Sequence, residues 1–191
     1  AAKDDMVIIL GTKWQTETLD AGSLSLPQGQ NDLIAQVAAA NPRTVVVLET
    51  GNPVDMPWLD KAAAVVEAWY PGQEGGTAIA DVLTGKVNPS GRLPVSFPRS
   101  LDQYPRKDLP GLGLPDKTPI EVRYDEGADI GYRAYAKSGD KPLFPFGFGL
   151  SYTRFGHSAL RVSPGATVKL NFTVRNDGDR EGVGVPQVYL V

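Results

Sequence analysis

The sequence has no cysteine and a single histidine, His157, among its 191 residues. Disulfides, iron–sulfur clusters and a thiolate nucleophile are therefore excluded, and one histidine leaves little scope for a histidine-rich metal site or a Ser-His-Asp triad. The net charge is −3, so the chain lacks the excess of positive charge that nucleic-acid binding requires. No apolar run reaches the roughly 20 residues that cross a bilayer. We therefore expect neither nucleic acid nor a membrane as partner, and any catalysis must depend on carboxylates.

Glycine and proline are abundant by contrast, with 21 and 16 residues. This composition indicates many tight loops between short elements and argues against a purely helical bundle. Apolar runs rich in β-branched residues at 6–10 and 44–48 predict central parallel strands that are covered on both faces. Apolar residues at helical spacing predict a helix over 28–40, which Asn41 and Pro42 end. The sequence therefore begins with a strand–helix–strand unit.

The pattern continues with a short helix over 57–62, a strand over 64–69, a helix over 74–83 and a loop-like segment over 88–119. After Pro164 and Gly165 it changes to strict alternation over 168–174, which predicts an antiparallel strand. Residues 183–191 are predicted to pair with that strand. Two strands alone are marginal in water, and the first parallel strand begins within six residues of the start. We therefore expect an internal fragment of a longer protein.

The segment after the first strand is the most informative for function. Residues 11–23 form a polar loop that contains Trp14, Glu17 and Asp20. It is long for a connection between a strand and a helix, and ligands of parallel sheets collect beyond the carboxyl ends of strands. A tryptophan ring beside a carboxylate suits a sugar, because the ring stacks on the C–H face while the acid reaches the glycosidic oxygen. The alternative is a solvated loop with a half-buried tryptophan.

This loop and a series of downstream motifs together resemble family 3 glycoside hydrolases, the β-glucosidase and β-xylosidase group. The matching segments are WQTETLD at 14–20, SLSLP at 23–27 with Gln30, VVVLETGNPV at 45–54, AWYPGQEGG at 68–76, ADVLTG at 80–85, NPSGRLPVSFP at 88–98, GYRAY at 131–135, PLFPFGFGLSY at 142–152 and VRNDGD at 174–179. Their number, order and spacing across nearly the whole chain carry the resemblance.

The resemblance implies an enzyme of three parts: a TIM-like barrel, an α/β sandwich domain and a fibronectin type III-like domain. The expected fold class is therefore α/β, a partial α/β sandwich with a mostly parallel sheet flanked by helices, followed by a partial fibronectin type III-like β-sandwich. Residues 1–100 would be the latter part of the α/β sandwich domain, 101–155 a wrapping linker, and 156–191 the beginning of the fibronectin-like domain.

The resemblance also implies a retaining, exo-acting β-glycosidase that removes terminal β-linked glucose or a related sugar from an oligosaccharide or β-glycoside. No metal or other cofactor is implied. The Asp nucleophile would lie on the N-terminal TIM-like barrel domain of the same enzyme, since no segment here matches its motif. A homodimer and a periplasmic or secreted location are further expectations of the same kind.

Glu17 stands where the family has its acid/base glutamate, three residues before Asp20 and ten before Pro27. Many members have Gly directly after this glutamate and Arg directly after the aspartate, whereas this sequence has Thr18 and Ala21. Some plant-type members do carry Thr-Glu-Thr, as this sequence does at 16–18. Glu17 is thus the expected catalytic residue.

Other candidates have competing structural roles. Glu49, at the end of a strand, is the second candidate for the acid/base and could instead pair locally. Glu74 suits a helix N-terminus, and Asp20 suits a turn in its own loop. Trp14 is the expected substrate-binding residue, with packing of the loop base as its alternative role. Trp58 and Trp69 are expected in the core, and His157 is expected at the surface or at the edge of the β-sandwich. The aromatic segment 144–150 is expected to anchor the wrapping segment.

Two other functions stay open at this stage. A non-catalytic carbohydrate-binding or scaffold protein of the same fold would be favoured if no barrel aspartate lay within about 5 to 6 Å of Glu17. A doubly wound nucleotide-binding domain is the second alternative. The absence of a Gly-x-Gly-x-x-Gly or P-loop motif after either strand argues against it.

Overall fold

A computed structural model describes residues 1–106, 109–115 and 117–189. Its regular elements in chain order are β1 (Val7–Lys13), α1 (Gln30–Ala40), β2 (Thr44–Thr50), β3 (Ala64–Glu67), α2 (Gly75–Leu83), α3 (Tyr132–Ser138), β4 (Phe155–Ser163) and β5 (Lys169–Asn176), with single 3₁₀ turns at Leu59–Lys61 and Leu101–Gln103. By their internal contacts the residues divide into two compact units, 1–75 with 95–146 and 76–94 with 147–191.

The first unit is built on a three-stranded parallel sheet in the order β1-β2-β3. Its central strand β2 is almost entirely buried, as its continuous run of valines predicts. Helix α1 buries Ile34 and Ala38, and β2 buries Val46, Val47 and Leu48. The predicted strand–helix–strand unit is therefore confirmed.

Strand β1 differs from its prediction. It extends to Lys13, and among the described residues it lies at the edge of the sheet, where Ile8 and Leu10 are 51% and 58% exposed. The expectation of a central strand covered on both faces is therefore wrong for the described part of the chain. A run of apolar residues indicates that a strand can be covered on both faces, but it does not indicate which elements cover it.

The segment between α2 and α3 contributes to the core of the first unit. Phe97 is 1% exposed and pairs with Phe144 through an antiparallel bridge, with their rings edge to face at 6.3 Å. The main-chain N–H of Phe146 donates to the Ser96 hydroxyl oxygen at 3.0 Å, and the Phe146 ring lies 5.2 Å from that of Tyr132. Phe144 and Phe146 therefore anchor their segment to the unit, as predicted.

The second unit contains an antiparallel pair, in which β4 runs from Phe155 opposite Asn176 to Ser163 opposite Lys169. The sequence predicted residues 183–191 as the partner of β5, and this is wrong for the described residues 183–189, which form no strand; 190 and 191 lie outside the described residues. The Pro164-Gly165 step joins β4 to β5, as a turn in a hairpin does. The irregularity between Ser158 and Arg161 interrupts the alternation of β4 and conceals it from a search for period two.

The expected fold class is confirmed: a parallel sheet with helices is followed by a small antiparallel sheet. The domain boundaries at residues 100 and 155 stay a prediction. Within the described ranges, no helix is both long enough and apolar enough to cross a membrane.

Candidate active site

The candidate site lies at the carboxyl edge of the parallel sheet. Strands β1, β2 and β3 end at Lys13, Thr50 and Glu67, so the segments after them meet at one edge. This is the edge at which open parallel sheets bind ligands. Both predicted site residues, Trp14 and Glu17, belong to the loop after β1.

Trp14 and Glu17 are both exposed on this loop, and the Trp14 side chain is 76% accessible. Trp14 therefore does not pack the base of the loop, which was the alternative to a role in binding sugar. Glu17 lies in a turn. Its carboxyl group is therefore accessible to a ligand at the carboxyl edge of the sheet.

The residue after Glu17 has an unusual backbone conformation. Thr18 has a φ of 72°, in the left-handed region that favours glycine and disfavours β-branched residues. A glycine at this position would adopt the same conformation without this strain. Thr18 is therefore a strained residue in the turn that carries Glu17.

The base of the loop is held by Tyr70 and Gln15. The main-chain N–H of Gln15 donates to the Tyr70 hydroxyl oxygen at 2.7 Å, and the hydroxyl donates to the main-chain oxygen of Lys13 at 2.9 Å. The side-chain oxygen of Gln15 accepts hydrogen bonds of 2.9 Å from the N–H groups of Gly51 and Asn52. These contacts join the segments that follow β1, β2 and β3.

Two further side chains fix the path of the chain around the loop. Gln30, the first residue of α1, accepts from the Thr12 N–H and donates to the Thr12 carbonyl, both at 2.8 Å. The Lys13 ammonium donates to the Ser23 carbonyl at 2.5 Å, which closes the loop across its two ends. Partial burial lowers the pKa of Lys13, and the charge of Asp55 opposes this shift.

The end of the loop is tied to the core through a short polar network. Asp55 accepts hydrogen bonds of 2.8 Å from the Ser25 hydroxyl and the Asn31 amide. The Asn31 oxygen in turn accepts from the indole N–H of Trp58 at 2.9 Å. Trp58 is 0% exposed, so its predicted place in the core is confirmed.

Sequence reasoning missed one titratable group at this edge, Glu67. Burial raises its pKa to about 7, although hydrogen bonds from the Trp69 N–H and from Thr50 oppose the rise. The signal in the sequence was a glutamate directly after Val65 and Val66 in a short strand. Gln15, Gly51 and Tyr70 were missed as well, and their only signal was their position shortly after a strand.

The rival residues take structural positions. Glu49 lies within β2 opposite Thr12 and is half-buried. Glu74 directly precedes α2, and Asp20 is exposed in the loop.

Trp69 is half-buried, with its ring 6.0 Å from that of Phe97. His157 is exposed on β4, a surface position as predicted. In the part of the chain that the structure describes, no group of three or more histidine, cysteine, aspartate or glutamate residues could hold a metal ion.

Comparison with known proteins identifies the same family in two independent ways, from a family model and from individual relatives. Residues 1–152 match the family described as "Glycosyl hydrolase family 3 C-terminal domain". The chain is 49% identical to Beta-glucosidase B of Emericella nidulans over 99% of its length, and 47% identical to a beta-glucosidase of Rhizobium radiobacter over 100%. In both comparisons it covers 24% of the relative, so the chain spans about a quarter of the length of these relatives.

Solved structures agree with these matches. DesR, a beta-glucosidase from Streptomyces venezuelae in complex with D-glucose, is 45% identical, with a TM-score of 0.80 over 94% of this chain and 23% of that one. A beta-glucosidase from Kluyveromyces marxianus in complex with glucose is 39% identical, with a TM-score of 0.82 over 94% of this chain and 22% of that one.

Proposed function

Because this chain belongs to glycosyl hydrolase family 3, we propose that it forms part of a retaining, exo-acting β-glucosidase and supplies the general acid/base, Glu17. The relatives named above are beta-glucosidases, and both of the solved structures named above contain glucose. The observation that carries the proposal is the exposed carboxyl of Glu17 on a loop whose base is fixed at the carboxyl edge of the sheet.

The catalytic cycle needs two carboxyl groups about 5 to 5.5 Å apart. In the first step, an aspartate on a barrel domain would attack the anomeric carbon while Glu17 gives its proton to the leaving glycosidic oxygen. This breaks the glycosidic bond and forms a covalent glycosyl-enzyme. In the second step, the Glu17 carboxylate takes a proton from water as that water attacks the same carbon and releases the aspartate.

The exposed ring of Trp14 has a role in the same proposal. It lies three residues from Glu17 in sequence and is accessible over most of its surface. An indole face stacks on the apolar C–H face of a sugar ring. Trp14 would therefore bind the sugar beside the bond that is broken.

The test uses the proposed longer polypeptide that contains an N-terminal barrel followed by residues 1–191, here called the complete enzyme. Glu17→Ala should lower turnover of a β-glucoside with a poor leaving group by about 10² to 10⁴. An activated dinitrophenyl β-glucoside should still form the glycosyl-enzyme and then stall, because no base activates water. Azide needs no base and should restore turnover with a β-glycosyl azide as product.

The matched control is Asp20→Asn, which removes a carboxylate from the same exposed loop. It should leave turnover of both substrates within a few-fold of the unchanged enzyme and give no azide product. If Glu17→Ala behaved like this control, the acid/base role would pass to another carboxylate and Glu49 would be tested next. A sugar-binding protein without turnover would support the non-catalytic alternative.

A further inference from the structure

Residues 14–20, the part of the loop that carries Glu17, are held through a single side chain. Among residues 14–20, Gln15 is the one side chain that is not exposed. Trp14 and residues 16–20 contribute no buried side chain that could fix the backbone. The position of Glu17 therefore depends on what holds Gln15, two residues before it.

Tyr70 holds the main chain of Gln15. Its hydroxyl accepts the Gln15 N–H at 2.7 Å and donates to the Lys13 carbonyl at 2.9 Å, with the Gln15 carbonyl 3.2 Å away. One phenol thus bonds to the main chain on both sides of Trp14. Removing only this oxygen would free the peptide groups at the start of the loop.

The side chain of Gln15 provides the second set of contacts that hold the loop. Its oxygen accepts the consecutive N–H groups of Gly51 and Asn52, both at 2.9 Å. The amide nitrogen of Gln15 is buried and has no hydrogen-bond partner among the described residues. The anchoring function therefore needs an acceptor at this position and makes no use of the amide donor.

Gly51 allows Tyr70 and Gln15 to lie close to the end of β2. A Cβ atom at this position would lie 3.0 Å from the Tyr70 hydroxyl oxygen and 3.2 Å from Cβ of Gln15. Both distances are tighter than ordinary van der Waals contact. A side chain at residue 51 would push Tyr70 and Gln15 away from the end of β2.

From these contacts we propose that Tyr70 and Gln15 are positioning residues that hold Glu17 in the orientation needed for proton transfer. The inference rests on the proposed acid/base role of Glu17. Neither residue is assigned a contact with substrate. A general acid must stay within hydrogen-bond reach of the glycosidic oxygen, and a displacement of about 1 Å can cost about 10²-fold in rate.

The test compares Tyr70→Phe with the unchanged complete enzyme on two substrates. For a β-glucoside with a poor leaving group, kcat should fall about 10- to 100-fold, with KM changed little. The glycosylation rate of a dinitrophenyl β-glucoside, which needs no proton, should change less than about threefold. Tyr104→Phe is the matched control, since it removes a phenol from a different segment of the chain, and it should leave both rates unchanged.

Gln15 supplies a second test that keeps the size of the side chain. Gln15→Glu replaces the unpartnered nitrogen with a carboxylate oxygen and retains the two acceptor contacts, whose N–H donors favour the added negative charge. Its rates should therefore stay within a few-fold of the unchanged enzyme. Gln15→Met removes the acceptor and should reproduce the leaving-group-dependent loss of Tyr70→Phe. Equal losses in both substrates for Tyr70→Phe and Gln15→Met, or an inactive Gln15→Glu beside an active Gln15→Met, would overturn the proposal.

A double-mutant cycle separates this proposal from the assignment of Glu17 itself. If Tyr70 acts through Glu17, Tyr70→Phe should cause no further loss in an enzyme that already carries Glu17→Ala. Full additivity of the two losses would refute the positioning role while leaving the acid/base role intact. If Glu17→Ala alone showed no leaving-group dependence, the acid/base assignment would be the part that failed.

Discussion

Both carboxyl oxygens of Glu67 lie 3.4 Å from the hydroxyl oxygen of Thr50, at the ends of two neighbouring parallel strands. Thr50 is 0% exposed, and its hydroxyl donates to the Asn52 carbonyl at 2.9 Å. The Trp69 N–H donates to Glu67 at 3.0 Å. Glu67 thus connects the end of β3 to the segment that Gln15 also contacts.

Glu67 should make the protein less stable as the pH rises. Its pKa of about 7 in the folded state lies above the ordinary value of 4.5, so the folded protein binds a proton that the unfolded chain releases. Stability is then lost between pH 4.5 and 7, by up to about 3 kcal/mol. The measurement is the thermal midpoint of the complete enzyme at a series of pH values.

Glu67→Gln removes this titration and provides the control. Its thermal midpoint should change less than that of the unchanged enzyme between pH 4.5 and 8, so that the two curves diverge towards high pH with the variant above. Parallel curves across this range would show that the folded environment of Glu67 does not favour its neutral form.

Thr18→Gly should stabilise the turn after Glu17. A non-glycine residue with a positive φ carries strain of about 1 to 3 kcal/mol, against which glycine loses about 0.4 to 1 kcal/mol through the greater freedom of the unfolded chain. We expect a net gain of about 1 kcal/mol, seen as a raised thermal midpoint with activity retained. Thr18→Val keeps the β-branch and the strain, so it should show no such gain.

Trp58 should be important for stability. Trp58→Ala empties a fully buried site and should cost about 3 to 5 kcal/mol. Trp58→Phe keeps most of the ring but leaves the Asn31 oxygen without the indole donor, at a cost of about 1 to 3 kcal/mol. Denaturant unfolding measures both, and equal effects of the two variants would show that the hydrogen bond, rather than the volume, dominates.

Trp14 should be important for substrate binding and not for stability. Trp14→Ala should change stability by less than about 0.5 kcal/mol because the ring is exposed. If the ring stacks on sugar, the same variant should raise KM for an aryl β-glucoside about 2- to 10-fold. A loss of stability without a change in KM would mean that Trp14 packs against protein in the complete enzyme.

Residues 1–191 alone should not hydrolyse an aryl β-glucoside. The proposed mechanism needs two carboxyl groups, and we assign only the acid/base to this chain. The check is an activity assay of the purified chain, with the complete enzyme as positive control. Turnover by the chain alone, lost in its Glu17→Ala variant, would show that the second carboxyl group lies within these residues.

Much of the first unit could be predicted from the sequence because burial leaves a local pattern. The valines of β2 and the helical spacing of α1 each identify an element without reference to the rest of the chain. The irregular strand β4 and the seven-residue helix α3 were not predicted. A β-bulge breaks the period of two, and two turns of helix are too short to establish a period of 3.6.

The parallel α/β sheet could be predicted from apolar periodicity, and the resemblance of the motifs to family 3 glycoside hydrolases supplied the family and Glu17 as the candidate acid/base. Both kinds of signal can be recognised in the sequence because they are properties of neighbouring residues. The contacts of Gln15 with Gly51 and Tyr70, which lie 36 and 55 residues away, became visible in the folded chain alone. The same is true of the burial of Glu67 beside Thr50. These contacts depend on which loops converge when parallel strands align, and hydrogen bonds between distant segments leave no period in the sequence from which they could be predicted.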